Sequence, residues 1–489
     1  MFRKGLIGYL PANILQGLIG FATLMVFTRI LSPEDYGRYA LAFGVSSLAQ
    51  TVCFTWLEAA MARFYPAEAR DDVTAPALYG SVYLLFAGVT ILFAVICGIG
   101  LWLWPAGNDL TDDPALKIAV AYGLGAVVFR SLIKLVQEQR RSEGRVGAAS
   151  ILDMLQTAGG FGFGVMLALL GTGGGSPLLG AAVIALICLP FFAREDWSRA
   201  VRGRFDAERA RQYAHYGFPI AASLVLTLAL YTADRFLIAH YLSEADAGAY
   251  HAGYSLASRI LDVLFIWFGA AGTPAMVHAL ESGGEKAFKT TAAEQIKTMS
   301  FILFPAVGGL IMVAPAFGEL MIGEDLRAKA VSITTLVALG ALFSGLNTYY
   351  FLQAFTLAKK TRLLVVAMLI PAVANIALNV LLIPRLGLIG AAWACALSFG
   401  AGLIGSWLLG LRTLPLPVPA ADLAKTALCT AVMMAAISVL PSHGGIIELV
   451  LKSATGAIIY GFCAYFCNLH GIRAHLLRFY NLFRAKFGL

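Results

Sequence analysis

The chain has 489 residues, of which 59% are hydrophobic and 13% charged, about half the charge of a soluble domain. That excludes a soluble globular protein, and 50 glycines with 31 phenylalanines and no low-complexity tract exclude a disordered one. The net charge of +8 would suit nucleic acid, but the basic residues cluster in alternate loops, as the positive-inside rule requires of a membrane protein, so no nucleic-acid partner is expected.

Apolar runs divided by charge, Gly and Pro predict spans near residues 7–31, 38–62, 78–104, 115–136, 148–170 and 178–193. Six more follow near 216–241, 247–278, 298–322, 329–356, 363–384 and 388–411, and a last pair near 422–440 and 446–467. The expected fold class is an all-α polytopic membrane protein with fourteen transmembrane helices, each of about 20 residues. The opening Met1-Phe2-Arg3-Lys4 and its long apolar run read as an uncleaved first span, because the run reaches Arg29 without a small-residue cleavage site. With the N-terminus inside, 25 of the 36 Lys and Arg fall in inner segments, against Arg38, Lys117, Arg327, Lys329 and Arg385 outside. Both termini are therefore expected in the cytoplasm. All seven cysteines fall inside predicted spans, where they act as small apolar residues; no disulfide, metal or cofactor is expected.

An internal repeat organises these spans. Residues 31–39 read LSPEDYGRY and 242–250 read LSEADAGAY, an offset of 211, while LLGAA at 178–182 and LIGAA at 388–392 lie 210 apart. Two matches at nearly one offset make the chain two copies of a six-helix unit. Six is even, so the copies share one orientation, a parallel repeat. The expected division is 1–193 for the N-lobe, 194–215 for a basic cytoplasmic linker and 216–411 for the C-lobe. A hairpin of two added spans (412–471) and a basic amphipathic tail (472–489), suited to anionic lipid, complete it.

Several motifs have structural accounts. In LSPED, Ser32 can cap a helix, Pro33 suits its first position, and Glu34 and Asp35 favour its dipole. The GTGGGS run at 171–176 lacks the Lys-Ser/Thr of a phosphate loop and reads as a flexible outer turn. His240 and His251 flank an outer turn and read as interfacial.

TRILSPEDYGRYALAFGV (28–45), LEAAMARFYPAEAR (57–70), ADRFLIAHYLSEADAGAYHAGYSLASR (233–259) and NIALNVLLIPRLGLIGAAWACALS (375–398) resemble the corresponding stretches of Wzx-type polysaccharide-export flippases. These form a branch of the multidrug/oligosaccharidyl-lipid/polysaccharide exporter superfamily. The resemblance implies two six-helix lobes in a V shape that alternate between inward- and outward-facing states. It also implies, as substrate, an oligosaccharide linked to undecaprenyl diphosphate, moved from the inner to the outer leaflet of the bacterial inner membrane for O-antigen or exopolysaccharide synthesis. A polysaccharide polymerase and glycosyltransferases would be its partners, beside the membrane lipids.

On that basis the intramembrane charges become candidates, since a charge near the bilayer centre costs roughly 3 kcal/mol even on the gentlest scale. Arg259, deep in the eighth span, either holds the substrate diphosphate or pairs with Asp262. Arg130 and Lys134, one turn apart in the fourth span, and Arg63 at the end of the second, either hold the headgroup or snorkel to inner phosphates. Arg29 and Arg235, near outer span ends, have the same two readings, and Lys452 in the added hairpin reads as peripheral. Glu58, Asp153, Asp234 and Asp262 are the intramembrane acids, and the first span has none. Asp234 and Asp262 are thus the candidates for a coupling cation, or else partners of Arg235 and Arg259.

The same residues bear on other function classes. A glycan polymerase or glycosyltransferase needs a large outer loop for donor and acceptor, whereas the longest candidate here, Pro105 to Pro114, is short; no enzyme is expected. A small-cation antiporter of the same superfamily would favour an acidic, aromatic cavity. A lipid-linked peptidoglycan-precursor flippase would share the cationic one.

Overall fold

A computed structural model of the protein describes residues 2–69, 75–104 and 113–473. Residues 474–489 of the expected tail (472–489), Arg70 and most of the Pro105–Pro114 connection lie outside the described residues. Every element among the described residues is helical: α1 (Phe2–Ile30), α2 (Pro33–Cys53), α3 (Thr55–Glu68), α4 (Ala75–Trp102), α5 (Pro114–Ser142), α6 (Val146–Leu169), α7 (Ser176–Phe192) and α8 (Arg194–Arg202). There follow α9 (Ala207–Tyr241), α10 (Glu244–Met321), α11 (Glu324–Leu346), α12 (Gln353–Leu357), α13 (Thr361–Leu386), α14 (Leu388–Leu411), α15 (Ala420–Ser438) and α16 (Gly445–Phe466). Twelve of the described helical segments are long and apolar enough to cross a membrane, or thirteen if the bent pair α2–α3 counts as one span. The chain is a multi-pass membrane protein. Consistent with lipid as its solvent, α4 leaves Leu84, Ile91, Ile96 and Trp102 exposed, surface that water would not tolerate.

Local chemistry starts these helices where the sequence signals them. Ser32 Oγ accepts from Asp35 N at 3.1 Å and Pro33 opens α2. Asp113 does the same for α5, accepting from Ala115 N at 2.9 Å before Pro114. Asp206 accepts from Glu208 N and Arg209 N to start α9. Two spans depart from the uniform runs expected. The second bends by 45° between α2 and α3, where the fully buried Phe54 ring sits 5.1 Å from Phe86 and 5.7 Å from Phe93. The eighth and ninth join as the 78-residue α10, interrupted at Gly284 (φ 65°), a left-handed backbone that favours glycine.

The chain divides into two compact units, residues 1–251 and 252–489. In the first, α6 packs on α7, α2 on α5, and α9 on α3. Glycines permit the closest crossings: a Cβ on Gly180 would lie 2.3 Å from Gly164 N. The same need explains why α9 and the start of α10 pack here. A Cβ on Gly37 would meet Glu244 O at 1.9 Å, and one on Gly248 would meet Gly37 N at 2.9 Å and Pro33 O at 3.0 Å, so the two repeat turns touch through backbone. Arg38 crosses the same seam, bonding Asp35 (2.9 Å), Asp113 (2.6 Å) and Glu244 (2.9 Å). The GTGGGS run is not the flexible turn expected. Gly173–Gly175 forms a tight 3-10 turn against α2 and α5, Gly174 N donates to Asp35 Oδ1 at 3.2 Å, and a Cβ there would strike Asp35 O at 2.3 Å.

In the second unit α14 packs on α13 and α11, and Gly402 abuts Pro371. The added pair α15–α16 closes over Cys429, Met433, Ile437 and Ala464, with Tyr460 Oη donating to Phe301 O at 2.7 Å. Between α11 and α12 one π-helical turn, Asn347–Phe351, interrupts the α pattern.

Candidate functional site

That π turn, a distortion common at functional sites, packs Tyr349 on Phe265 of α10, six residues beyond the candidate Arg259. Arg259 is half-buried, and its Nε is buried without a hydrogen-bond partner. Asp262, one turn on and exposed, is in electrostatic reach of Arg259 and of Tyr349, but among the described residues the Arg259–Asp262 pair does not close to an ion pair. The Tyr349 ring stacks on Phe265 (5.7 Å, 7°), and its carbonyl accepts from Gln295 Nε2 at 3.2 Å. A charged donor left unpaired costs more than the 1–3 kcal/mol of a neutral one, and among the described residues Arg259 Nε is such a donor.

In the first unit a second cationic cluster joins α2, α3 and α5. Arg130 and Lys134 both lie in electrostatic reach of Glu58, with Glu138 beside Lys134 and Tyr39 beside Arg130. Glu58 Oε1 and Gln50 Nε2 are buried there without hydrogen-bond partners. Two cations thus face one deeply placed carboxylate, an open arrangement in which an anion could compete with Glu58.

The other candidates are placed differently. Arg63 is exposed, its guanidinium 6.0 Å from the Phe64 ring centroid. Arg29 is exposed and donates to Met25 O at 2.7 Å. Arg235 is buried and donates from Nε to His251 Nδ1 (3.0 Å) and from Nη1 to Tyr231 O (2.5 Å). His251 is buried, and its ring accepts that bond and lies beside Tyr36 and Tyr39. Asp234 is buried and accepts from Tyr250 Oη at 2.7 Å. Lys452, in the added hairpin, is buried, and its Nζ lies 2.5 Å from Glu448 Oε1, four residues back on α16. No group of three or more His, Cys, Asp or Glu among the described residues is placed to hold a metal.

One polar centre carries no signal in the sequence. At the ends of α3, α4 and α5 the fully buried Asp196 of α8 accepts from Gln139 Nε2 (2.5 Å) and Arg140 Nη2 (3.1 Å). Burial pushes its carboxyl up to about 6, against the pull of Arg140. Burial alone would also raise Glu143, yet bonds from Tyr65, Arg140 and Gln139 hold it below the usual carboxylate range. A charged linker has no periodicity to mark one of its acids as a core residue.

The fold has solved counterparts. A structure titled "Lipid II flippase MurJ, inward closed conformation" has a TM-score of 0.74 at 16% identity, covering 94% of this chain and 99% of that one. An inward-facing multidrug resistance MATE family transporter of the MOP superfamily has a TM-score of 0.62 at 15% identity, covering 81% and 94%. At these identities the likeness is one of fold. In sequence, the succinoglycan biosynthesis transport protein ExoT of Rhizobium meliloti (strain 1021) is 26% identical over 334 residues, 65% of this chain. The match spans 62% of that relative's length. The model of a family described as "Polysaccharide biosynthesis protein" matches residues 26–331. With well over half of its length matched, the chain belongs to the polysaccharide biosynthesis protein family, as its sequence motifs implied.

Proposed function

We propose that this protein is a flippase that moves an oligosaccharide linked to undecaprenyl diphosphate from the inner to the outer leaflet of a bacterial inner membrane, without covalent chemistry. The single observation that carries the reading is the unpaired, buried Nε of Arg259. A diphosphate offers the planar, multiply accepting partner that a guanidinium fork fits. Within the first unit, Arg130 and Lys134 facing Glu58 support an anionic headgroup by the same chemistry. Family membership and the transport relative support the substrate class, and the MurJ- and MATE-like fold supports alternating access. Counting α2–α3 as one span and dividing α10 at Gly284 yields the fourteen crossings expected, which supports cytoplasmic termini. Glycosyltransferases and a polymerase would supply and consume the cargo.

The test is flipping of a fluorescent undecaprenyl-diphosphate oligosaccharide in proteoliposomes, wild type against Arg259→Ala at matched insertion. Loss of a charge-assisted bond predicts a fall of about ten- to a hundredfold. Unchanged flipping in the variant sinks the role of Arg259. A wild-type protein that moves a peptidoglycan precursor alone, or only small cations, overturns the substrate assignment.

A further inference from the structure

A cavity of about 580 Å³ in the first unit lies apart from Arg130 and Lys134, at the junction of α3, α4, the α5–α6 corner and α8; its lining includes Tyr65, Tyr79, Glu143, Arg145, Arg199 and Arg202. Among its described lining residues three guanidiniums accompany a single carboxylate. Glu143 Oε1 already receives Tyr65 Oη (2.7 Å), Gln139 Nε2 (3.2 Å) and Arg140 Nη1 (3.2 Å), and Oε2 lies 3.1 Å from the same Nη1. Arg145 and Arg199 reach it only at 3.6 and 3.9 Å, beyond hydrogen-bond length. Their charge is partly offset while donors remain for something else, and Arg202 adds a third, exposed guanidinium. Arg199 is also pre-aimed: Nη1 donates to Tyr79 Oη at 2.8 Å and its Cζ lies 5.5 Å from the Tyr79 ring centroid. Tyr79 is buried and itself fixed by Tyr65 Oη and Gln139 Nε2, each at 3.1 Å.

We propose that this cavity binds a phosphorylated ligand, its phosphate held by Arg145, Arg199 and Arg202, in addition to any transported headgroup. Three guanidiniums beside one carboxylate among the described lining residues favour a multiply charged oxyanion over a carboxylate, and the volume admits a phosphate with a substituent the size of a glycerol or a nucleoside. Two sources share that chemistry. Trp197 and Val201, exposed one turn apart on α8, form an apolar stripe of the kind that lies at a headgroup boundary, which places the cavity within reach of phospholipid; a soluble phosphorylated metabolite would reach it from the aqueous side. The inference does not rest on the flippase reading.

Two measurements on the full-length protein separate the sources. Calorimetric titration with inorganic pyrophosphate in neutral detergent tests the soluble one. Native mass spectrometry of lipid retained from phosphatidylcholine nanodiscs with and without phosphatidylglycerol tests the other. The variants are Arg202→Gln, which changes an exposed side chain, and the double Arg145→Gln/Arg199→Gln, checked for unchanged thermal unfolding. Saturable pyrophosphate binding that weakens about tenfold per guanidinium removed supports a soluble ligand. Retention of phosphatidylglycerol that is lost in both variants, without pyrophosphate binding, supports a lipid. Tyr79→Phe should weaken whichever binding occurs, because it frees Arg199 while leaving the charge. Absence of both bindings in wild type, or binding that Arg202→Gln leaves unaltered, overturns the proposal.

Discussion

Replacing Gly37 with Ala tests the contact between the repeat turns most directly. The added Cβ would sit 1.9 Å from Glu244 O and 2.5 Å from Glu244 C. Both are backbone atoms, so no rotamer change relieves the overlap, and α2 must move away from α10 by more than 1 Å or the seam must open. Overpacking of this kind costs about 3 kcal/mol or more. Alanine recovers at most about 1 kcal/mol of helix propensity, leaving a net loss near 2 kcal/mol. At Gly17 in α1 an added Cβ would meet nothing within 4 Å, so Gly17→Ala is the control and should be neutral or mildly stabilising. Gly248→Ala attacks the seam from its other side, against Gly37 N and Pro33 O. Once one substitution has separated the backbones, the second finds space, so the double variant should cost little more than the worse single one. Reversible unfolding in a mixed-micelle titration reads all four variants on one scale. Stability of Gly37→Ala within about 0.5 kcal/mol of wild type, or simple additivity in the double variant, would refute close backbone contact at this seam.

Removing Arg38 should destabilise the protein at neutral pH by leaving Asp35, Asp113 and Glu244 facing one another, and the deficit should shrink on acidification as the carboxylates protonate; a pH-independent deficit argues against the cluster. Asp196, raised to about 6, binds its proton more tightly folded than unfolded, so its contribution is greatest below pH 4 and is lost as pH rises through 6. That is about 3 kcal/mol, and the stability difference between wild type and Asp196→Asn should therefore slope across pH 4 to 6; a flat difference is the contrary result. Glu448→Gln leaves Lys452 charged and buried, at a cost of about 3–5 kcal/mol. Adding Lys452→Met should recover most of that loss, and failure to recover would mean that the two side chains are not coupled.

What was legible in the sequence was what depends on local pattern. Apolar runs located the spans, and Ser32-Pro33 marked a helix start that the side chain caps as expected. The bend at Phe54 left no such mark, because an aromatic residue in an apolar run signals burial and gives no hint of a break. Nor did a glycine-rich string between spans disclose whether it is loose or, as at Gly174, pressed against a neighbouring helix. For the charges, the sequence could say that each buried cation needs a partner but not which ones have it. Arg235 finds His251 across a turn and Lys452 finds Glu448 on its own helix. Arg259 has Asp262 at a spacing that could have closed, and its Nε is still unpaired. The cavity beside Tyr79 was invisible because its walls come from four separate stretches of chain.

The backbone contact between Gly37 and Glu244 also bears on how the protein is made. Synthesis proceeds from the N-terminus, so α2 is delivered long before the helix that covers it. Until the second LSxxD turn has left the ribosome, Gly37 faces no backbone, and Arg38 has Asp35 and Asp113 but lacks Glu244. A product that stalls in the linker around α8 would therefore carry six spans yet expose an unfinished seam of glycine backbone and acidic side chains. The boundary at which the sequence repeats is thus not a boundary at which the growing chain can pause as a finished piece.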